Sequence, residues 1–309
     1  MRVISPERGH VLIVATAHDP LGANAGPMPV HRSRLMTAWP GRLADGAAWE
    51  IDFRRVPHWL VVGATRSGKS NFLAALITQL APQPVALVGV DLKGGMELSM
   101  FEPRLSALAI TRTEASSLLS ALLCEADIRM QRCRAAGARS VWELPEKGRP
   151  VPIVVLIDEI AELYLSDGTR ESKAEATECS AALLRLGQLG AALGIHLVVA
   201  AQRFGSELGP GVTALRAQLG GRICHRVHDG TSAEMALGDL SPDAVSVVQA
   251  ITETEQGVAV VTVGGRWVRA RSTVIRPDRA REMAREHADR TPRLAVLSHP
   301  HSTDSDRHE

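Results

Sequence analysis

The chain has 309 residues, 45% of them hydrophobic and 22% charged, enough apolar material for one large α/β core or two smaller ones and too much for a disordered or fibrous protein. Lys and Arg number 35 against 34 Asp and Glu, a net charge of +1. No molecule-wide field therefore draws the chain onto nucleic acid or an anionic membrane, and any polyanion must be met by a local patch.

Cys124, Cys133, Cys179 and Cys224 form no CxxC pair and keep no ligand-like spacing to histidine, the pattern of reduced thiols rather than of a disulfide frame or zinc site. Three are expected on helices and one in a strand. No signal peptide opens the chain, and no apolar run approaches the roughly 20 residues of a membrane span. The expected location is cytoplasmic, with any membrane reached through a partner protein.

In chain order, segments 10–17, 57–63, 85–92, 105–111, 153–159 and 195–202 are short, β-rich and apolar nearly throughout. Unbroken apolar strands are the mark of a parallel sheet covered on both faces. Helical patterns lie between them: 69–80, stopped by Pro82 and Pro84; 113–136, preceded by Thr111 and Glu114 at capping-box spacing; and 170–193. Residues 257–264 and 266–275 alternate polar and apolar around Gly264-Gly265, a hairpin signal. The expected fold is α/β, a mostly parallel sheet with helices on both faces closed by a C-terminal hairpin. Residues 1–39 read as an appendage with a Pro/Gly-rich linker, 40–276 as the main domain, and 277–309 as a helix followed by a disordered tail.

The run Gly63-Ala64-Thr65-Arg66-Ser67-Gly68-Lys69-Ser70 is a full GxxxxGK[ST] placed between a strand and a helix, as a phosphate-binding loop requires. Glycines let backbone N–H groups turn inward around an anion, and the following helix adds its positive N-terminal end. Gly63 to Asn71 is thus the candidate ATP-binding segment, with Lys69 a point charge for the β- and γ-phosphates and the Ser70 hydroxyl a Mg²⁺ ligand.

The strand IVVLIDE ends in Asp158 and Glu159. Carboxylates at that end of a strand lie at the sheet edge where open α/β folds bind ligands. Asp158 is expected to serve Mg²⁺ and Glu159 to orient and deprotonate the attacking water. Gln202, at the end of IHLVVAAQR, is a candidate for bonding the γ-phosphate or the water; the alternative is a surface amide.

These stations, with PHWLVVGATRSGKS, VDLKGGMEL, MQRCRAAGARSVWEL, IVVLIDEIAEL, LGQLGAALGIHLVVAAQR and LGGRICHRVHDGTSAEMALG, resemble the motor domain of the FtsK/SpoIIIE family of DNA translocases over about residues 40–275. The resemblance implies a P-loop, RecA-like ATPase that encloses double-stranded DNA as a hexameric ring and pumps it. Within the family the short, Arg- and Ala-rich form resembles the actinobacterial transfer proteins of conjugative plasmids and integrative elements. It departs from the family pattern at Arg66, Leu92, Ala201, Phe204 and Ala191. A ring ATPase commonly completes each site with a neighbour's arginine; Arg222 is favoured slightly over Arg185 for that catalytic role, although a structural salt bridge explains either equally well.

Duplex gripping requires phosphate neutralisation by pore-facing cations. Arg104, Arg134, Arg139 and the loop around Arg170 and Lys173 are the candidates, each with the alternative of a solvated surface charge. Two other readings keep the same motor fold: an ATPase of a protein secretion system, and a nucleotide-dependent DNA-binding adaptor.

Overall fold

The computed structural model describes residues 2–7, 10–14, 19–22, 34–238 and 242–297. Strands β1 (Arg2–Glu7) and β2 (His10–Val14) pair antiparallel in a sheet of their own. All other strands join one ten-stranded sheet. In chain order these are β3 (Thr37–Leu43), β4 (Ala48–Asp52), β5 (Trp59–Val62), β6 (Ala86–Val90), β7 (Ala107–Ala109), β8 (Ile153–Ile157), β9 (Ile195–Ala201), β10 (Gly221–His225), β11 (Val258–Val263) and β12 (Arg266–Ser272). Their spatial order is β4-β3-β12-β11-β10-β5-β9-β8-β6-β7. The six strands from β10 to β7 are mutually parallel, and β11, β12, β3 and β4 extend the sheet antiparallel. The fold is thus the expected mostly parallel P-loop arrangement, with a wider antiparallel wing than a closing hairpin alone.

The parallel strands are apolar throughout because both faces are covered. Helices α1 (Lys69–Leu80) and α8 (Pro277–Glu286) cover one face; α2 (Arg112–Ala135), α4 (Arg170–Leu193), α5 (Val212–Gln218), α6 (Gly230–Leu237) and α7 (Pro242–Gln249) cover the other, and a short α3 (Ala161–Tyr164) follows β8. Alternate residues of β5 show the division: Leu60 and Val62 join the α2/α4 core, Trp59 and Val61 the α1/α8 core. Each fully buried Val, Leu or Ile contributes about 1.5–3 kcal/mol against exposure, so the two cores together drive the fold.

Local chemistry sets the helix ends. Thr111 and Glu114 form the expected capping box, with Glu114 N donating to Thr111 Oγ1 (3.3 Å) and Thr111 N to Glu114 Oε2 (3.1 Å). Thr169 caps α4, which stops at Gly194 in the left-handed conformation. Cys124 and Cys133 lie on α2, Cys179 on α4 and Cys224 on β10, all as free thiols.

The expected domain edges fall differently in space. Met36 is fully buried with its N–H on Gln83 Oε1 (2.9 Å), and β3 begins at Thr37, so the main sheet starts ahead of residue 40. Helix α8 buries Ala280, Met283 and Ala284 in the α1 core and is part of the same body. The tail 298–309 lies outside the described residues, as does most of the linker.

Candidate functional site

Four strand ends and one helix start meet at the C-terminal edge of the parallel strands. Residues Gly63–Gly68 leave β5, Asp91–Leu98 leave β6, Asp158 and Glu159 leave β8, and Gln202 leaves β9. Backbone bonds stitch this edge: Gly63 N donates to Ala201 O (3.1 Å), Asp158 N to Val90 O (3.1 Å) and Asp91 N to Ala109 O (2.9 Å). Between them opens a cleft of about 410 Å³ lined by the phosphate loop, Lys69, Ser70, Asp158, Lys93 and Gln202, among others.

The loop's glycines are required because the loop packs tightly against its own neighbours. A Cβ on Gly63 would collide with Ser67 Oγ and stand 2.8 Å from His225 Cβ; one on Gly68 (φ 113°) would stand 2.6 Å from the Gly257 backbone. Gly257 N donates to Ser67 O (2.9 Å), which clamps the loop onto the entry to β11. Helix α1 starts at Lys69 directly after Gly68, so its unpaired N–H groups face the cleft. Lys69 Nζ donates to Gly63 O (2.5 Å), which holds the ammonium across the loop mouth. Burial lowers the Lys69 pKa, while Glu159 and Asp158 oppose the shift. Ser67 Oγ is buried without a protein partner. Together these features fit a triphosphate.

Thr65 and Arg66 are exposed at the loop tip, and Arg66 takes φ 60°, a conformation that favours glycine or asparagine. Ala64 N bonds Arg226 O (2.8 Å). Asn71 is used otherwise than expected: its amide donates to Ser272 Oγ (3.0 Å) and Thr273 O (2.9 Å) and accepts from Ile275 N (2.9 Å). That side chain fastens α1 to the segment after β12 and is not free for nucleotide.

Asp158 is 5% exposed, and desolvation, aided by the neighbouring Asp91, pushes its pKa up to about 6, with Lys93 opposing. A buried acid in that condition gains from a cation beside it. The half-buried Ser70 lines the same cleft. Glu159 is 7% exposed. Its Oε1 accepts from Gln202 N (3.2 Å), and its Oε2 faces Lys93 Nζ at 3.5 Å. The Gln202 side chain is exposed toward the cleft.

The arginines divide sharply. Arg222 sits two residues into β10, opposite Leu60, at the end of the sheet away from its own phosphate loop. It is 8% exposed and donates from Nη2 to Arg216 O (3.2 Å), whereas Arg185 is exposed on α4. Arg104 is fully buried, donating to Ala81 O, Gln83 O and Val85 O. It secures the turn after α1 and is no DNA contact, whereas Arg134, Arg139, Arg170 and Lys173 are exposed.

Two cleft residues carry weight beyond the motif. Asp91 is fully buried, and its carboxylate accepts from Lys93 N (3.3 Å), Glu97 N (2.8 Å) and Leu98 N (3.0 Å). Lys93 lines the cleft. The signal was present in VALVGVDLK, an apolar strand ending in an acid like IVVLIDE, followed by one of only four lysines.

The FtsK/SpoIIIE family profile matches residues 23–148 and 142–206. The chain is 44% identical over 262 residues to a sporulation regulatory protein of Streptomyces azureus, covering 84% of this chain and 86% of that one. It is 46% identical over 267 residues to the transfer protein TraSA of Streptomyces ambofaciens, covering 82% and 64%. It is 29% identical over 218 residues to the DNA translocase FtsK of Streptococcus pneumoniae, covering 64% and 27%. Among solved structures, the pCW3 conjugation coupling protein TcpA, in monomer form with ATPγS, superposes with a TM-score of 0.70 at 24% identity, covering 82% of this chain and 70% of that one, and so shares its fold. With the phosphate loop, the paired acids and the strand order around them in place, these matches establish that the chain is an ATPase belonging to the FtsK/SpoIIIE family.

Proposed function

We propose that this protein is an ATP-driven motor that moves double-stranded DNA, working as a hexameric ring in the transfer of DNA between cells. The observation that carries this reading is the convergence of Lys69, Ser70, Asp158 and Gln202 on one cleft with Glu159 directly behind it, at the edge of a parallel sheet. The transfer protein TraSA and the translocase FtsK, both similar in sequence, support the choice of cargo.

The residues divide the work by chemistry. Backbone N–H groups of the loop and the start of α1 bind the phosphates, and Lys69 neutralises charge that grows as the terminal phosphoryl leaves. Ser70 and Asp158 would hold Mg²⁺, which supplies further charge neutralisation there. Glu159 orients the attacking water and takes its proton. Gln202 is one bond from Glu159 through its own amide, and carries the presence or loss of the terminal phosphate into the segment after β9. For the arginine supplied by a neighbouring subunit, exposure shifts the choice from Arg222 to Arg185, because a side chain must reach the surface to enter another copy's site. Arg134, Arg139, Arg170 and Lys173 are the cations open to phosphate contact.

Among the described residues no helix is long and apolar enough to cross a membrane. In this reading a partner protein supplies the membrane attachment. The test is ATP turnover with linear duplex DNA: a several-fold rise that fades as salt is added supports a duplex motor. Indifference to DNA with a response to a peptide would replace it with a secretion ATPase; no turnover, with nucleotide-dependent DNA binding, would leave an adaptor. Electron microscopy with a non-hydrolysable ATP analogue and linear duplex tests the ring.

A further inference from the structure

Glu159, the proposed base, does not line the cleft, whereas Lys93 does. Its Oε2 is buried with no hydrogen bond and faces Lys93 Nζ at 3.5 Å, while its charge is also felt by the buried Lys69 ammonium. Its Oε1 is taken by the Gln202 N–H. In this arrangement Oε2 is buried against Lys93 and Oε1 already accepts one N–H. The Lys93 side chain, 36% exposed, pairs with that carboxylate and also lines the cleft.

The backbone beneath Lys93 is held firmly. Asp91 accepts three amides from residues 93–98, Gly95 N returns to Asp91 O (3.1 Å), and Gly94 and Gly95 make the turn with φ 73° each. The Lys93 Cα is therefore fixed, while its four-carbon stem is free to swing. An ammonium so placed pairs with Glu159, also acts on the neighbouring Asp158, and lines the cleft that a terminal phosphate would enter.

We propose that Lys93 is a positioning residue that latches Glu159 away from the cleft and transfers to the terminal phosphate when a triphosphate binds, so that the base is released only against a hydrolysable nucleotide. This deepens the ATPase reading of the same cleft and rests on it. Lys69 serves any nucleotide through the loop; Lys93, reaching in from β6, distinguishes a triphosphate from a diphosphate. Idle activation of water beside a diphosphate is thereby suppressed.

The test is equilibrium binding of ATPγS and ADP, with Mg²⁺, to the full chain. Lys93→Met should weaken ATPγS about tenfold, the size of one charge-assisted hydrogen bond, and leave ADP within about twofold. Lys93→Arg should restore most of the difference. Glu159→Gln, which dissolves the latch, should tighten ATPγS severalfold, and that gain should vanish when Lys93→Met is added. Equal weakening of both nucleotides would mean Lys93 only supports the loop. A Glu159→Gln gain that survives in the Lys93→Met background would mean Glu159 merely repels phosphate, and either result overturns the latch while leaving the ATPase reading intact. If the unaltered protein bound neither nucleotide, both would fall.

Discussion

The two ends of the parallel sheet bury ionisable groups in opposite ways. At the N-terminal end, His58 and His196 lie 6.3 Å apart between ring centroids, beside Trp142 and Phe53. Leu197 N donates to His58 Nδ1 (3.0 Å), which leaves that ring's proton on Nε2; His196 Nδ1 bonds Pro57 O (3.1 Å) and so carries its own proton. Both rings are neutral: desolvation lowers their pKa values to about 4 and about 3. The adjacent Arg129, 1% exposed, stays charged because its guanidinium meets Glu125 Oε1 (2.7 Å), Leu193 O (2.9 Å) and Val151 O (2.7 Å), neutralising the C-terminal end of α4. Every charge there has a protein partner. At the C-terminal end Asp91, Asp158, Glu159 and Lys69 are equally buried, yet Asp158 keeps a raised pKa and Ser67 Oγ lacks a partner. The charge at the N-terminal end is met by the chain itself, although His58 Nε2 and His196 Nε2 are buried without a partner, whereas the charged groups at the other end line or adjoin an open cleft.

The comparison predicts that substitutions at the two ends fail in different currencies. Glu159→Gln should lower ATP turnover by about 10²–10⁴-fold, the usual worth of a positioned base, with the melting temperature nearly unmoved. Single-turnover kinetics alongside a thermal melt would check it; unchanged turnover would remove Glu159 from the chemistry. Arg129→Ala is the opposite case. Leaving Glu125 and several carbonyls without their cation should cost about 3–5 kcal/mol of stability, read as a lower urea midpoint, while ATPγS affinity of the folded fraction stays within about twofold of its original value. A loss of affinity without loss of stability would erase the distinction between the ends.

Acid sharpens the contrast next. His58 and His196 have folded pKa values below the unfolded 6.5, so the unfolded chain binds more protons between about pH 6.5 and 4 and stability falls as pH drops through that window. His225, buried under the phosphate loop with its pKa lowered to about 4, acts in the same direction. Asp158 has the reverse sign: raised to about 6, it binds its proton more tightly when folded, so its term weakens the fold as pH rises from about 4 to 6. Urea titrations at pH 7 and 4.5 should show net acid destabilisation, reduced in His196→Leu and enlarged in Asp158→Asn. Mg²⁺-dependent nucleotide affinity should fall below about pH 6, where Asp158 takes up its proton. Affinity that is flat from pH 7 to 5 would detach Asp158 from the metal.

How much of this could be read from residues alone follows the same division. The parallel half was legible because double coverage makes β5, β6, β8 and β9 unbroken apolar runs, and because Gly63–Ser70 and Asp158-Glu159 announce their chemistry. The antiparallel wing was not. Strand β3 (TAWPGRL) contains Pro40 and Gly41 and shifts register between Ala38 and Gly41, so its pattern reads as linker; Gly41 is required where Arg271 O packs against its bare Cα. Arg104 and Arg222 read as functional cations because type alone carries no burial. The pairing of Lys93 with Glu159 joins residues far apart in sequence that meet only because β6 and β8 are neighbours in the sheet.

The smallest expected effect lies in the loop itself. Arg66 occupies the left-handed region at φ 60° with its side chain exposed, a placement that costs a side chain with a Cβ about 1–2 kcal/mol. Asparagine tolerates that region far better and avoids the extra unfolded-state entropy of glycine. Arg66→Asn should therefore stabilise the protein by about 1 kcal/mol or less, a shift of about 2–4 °C at most for a chain of this size, and leave ADP and ATPγS affinities unchanged. Differential scanning calorimetry with nucleotide titration separates the outcomes. If Arg66→Asn instead weakened ATPγS tenfold without altering stability, the strain would be serving the ligand: the guanidinium would reach the phosphates, and the left-handed turn would be part of the cradle.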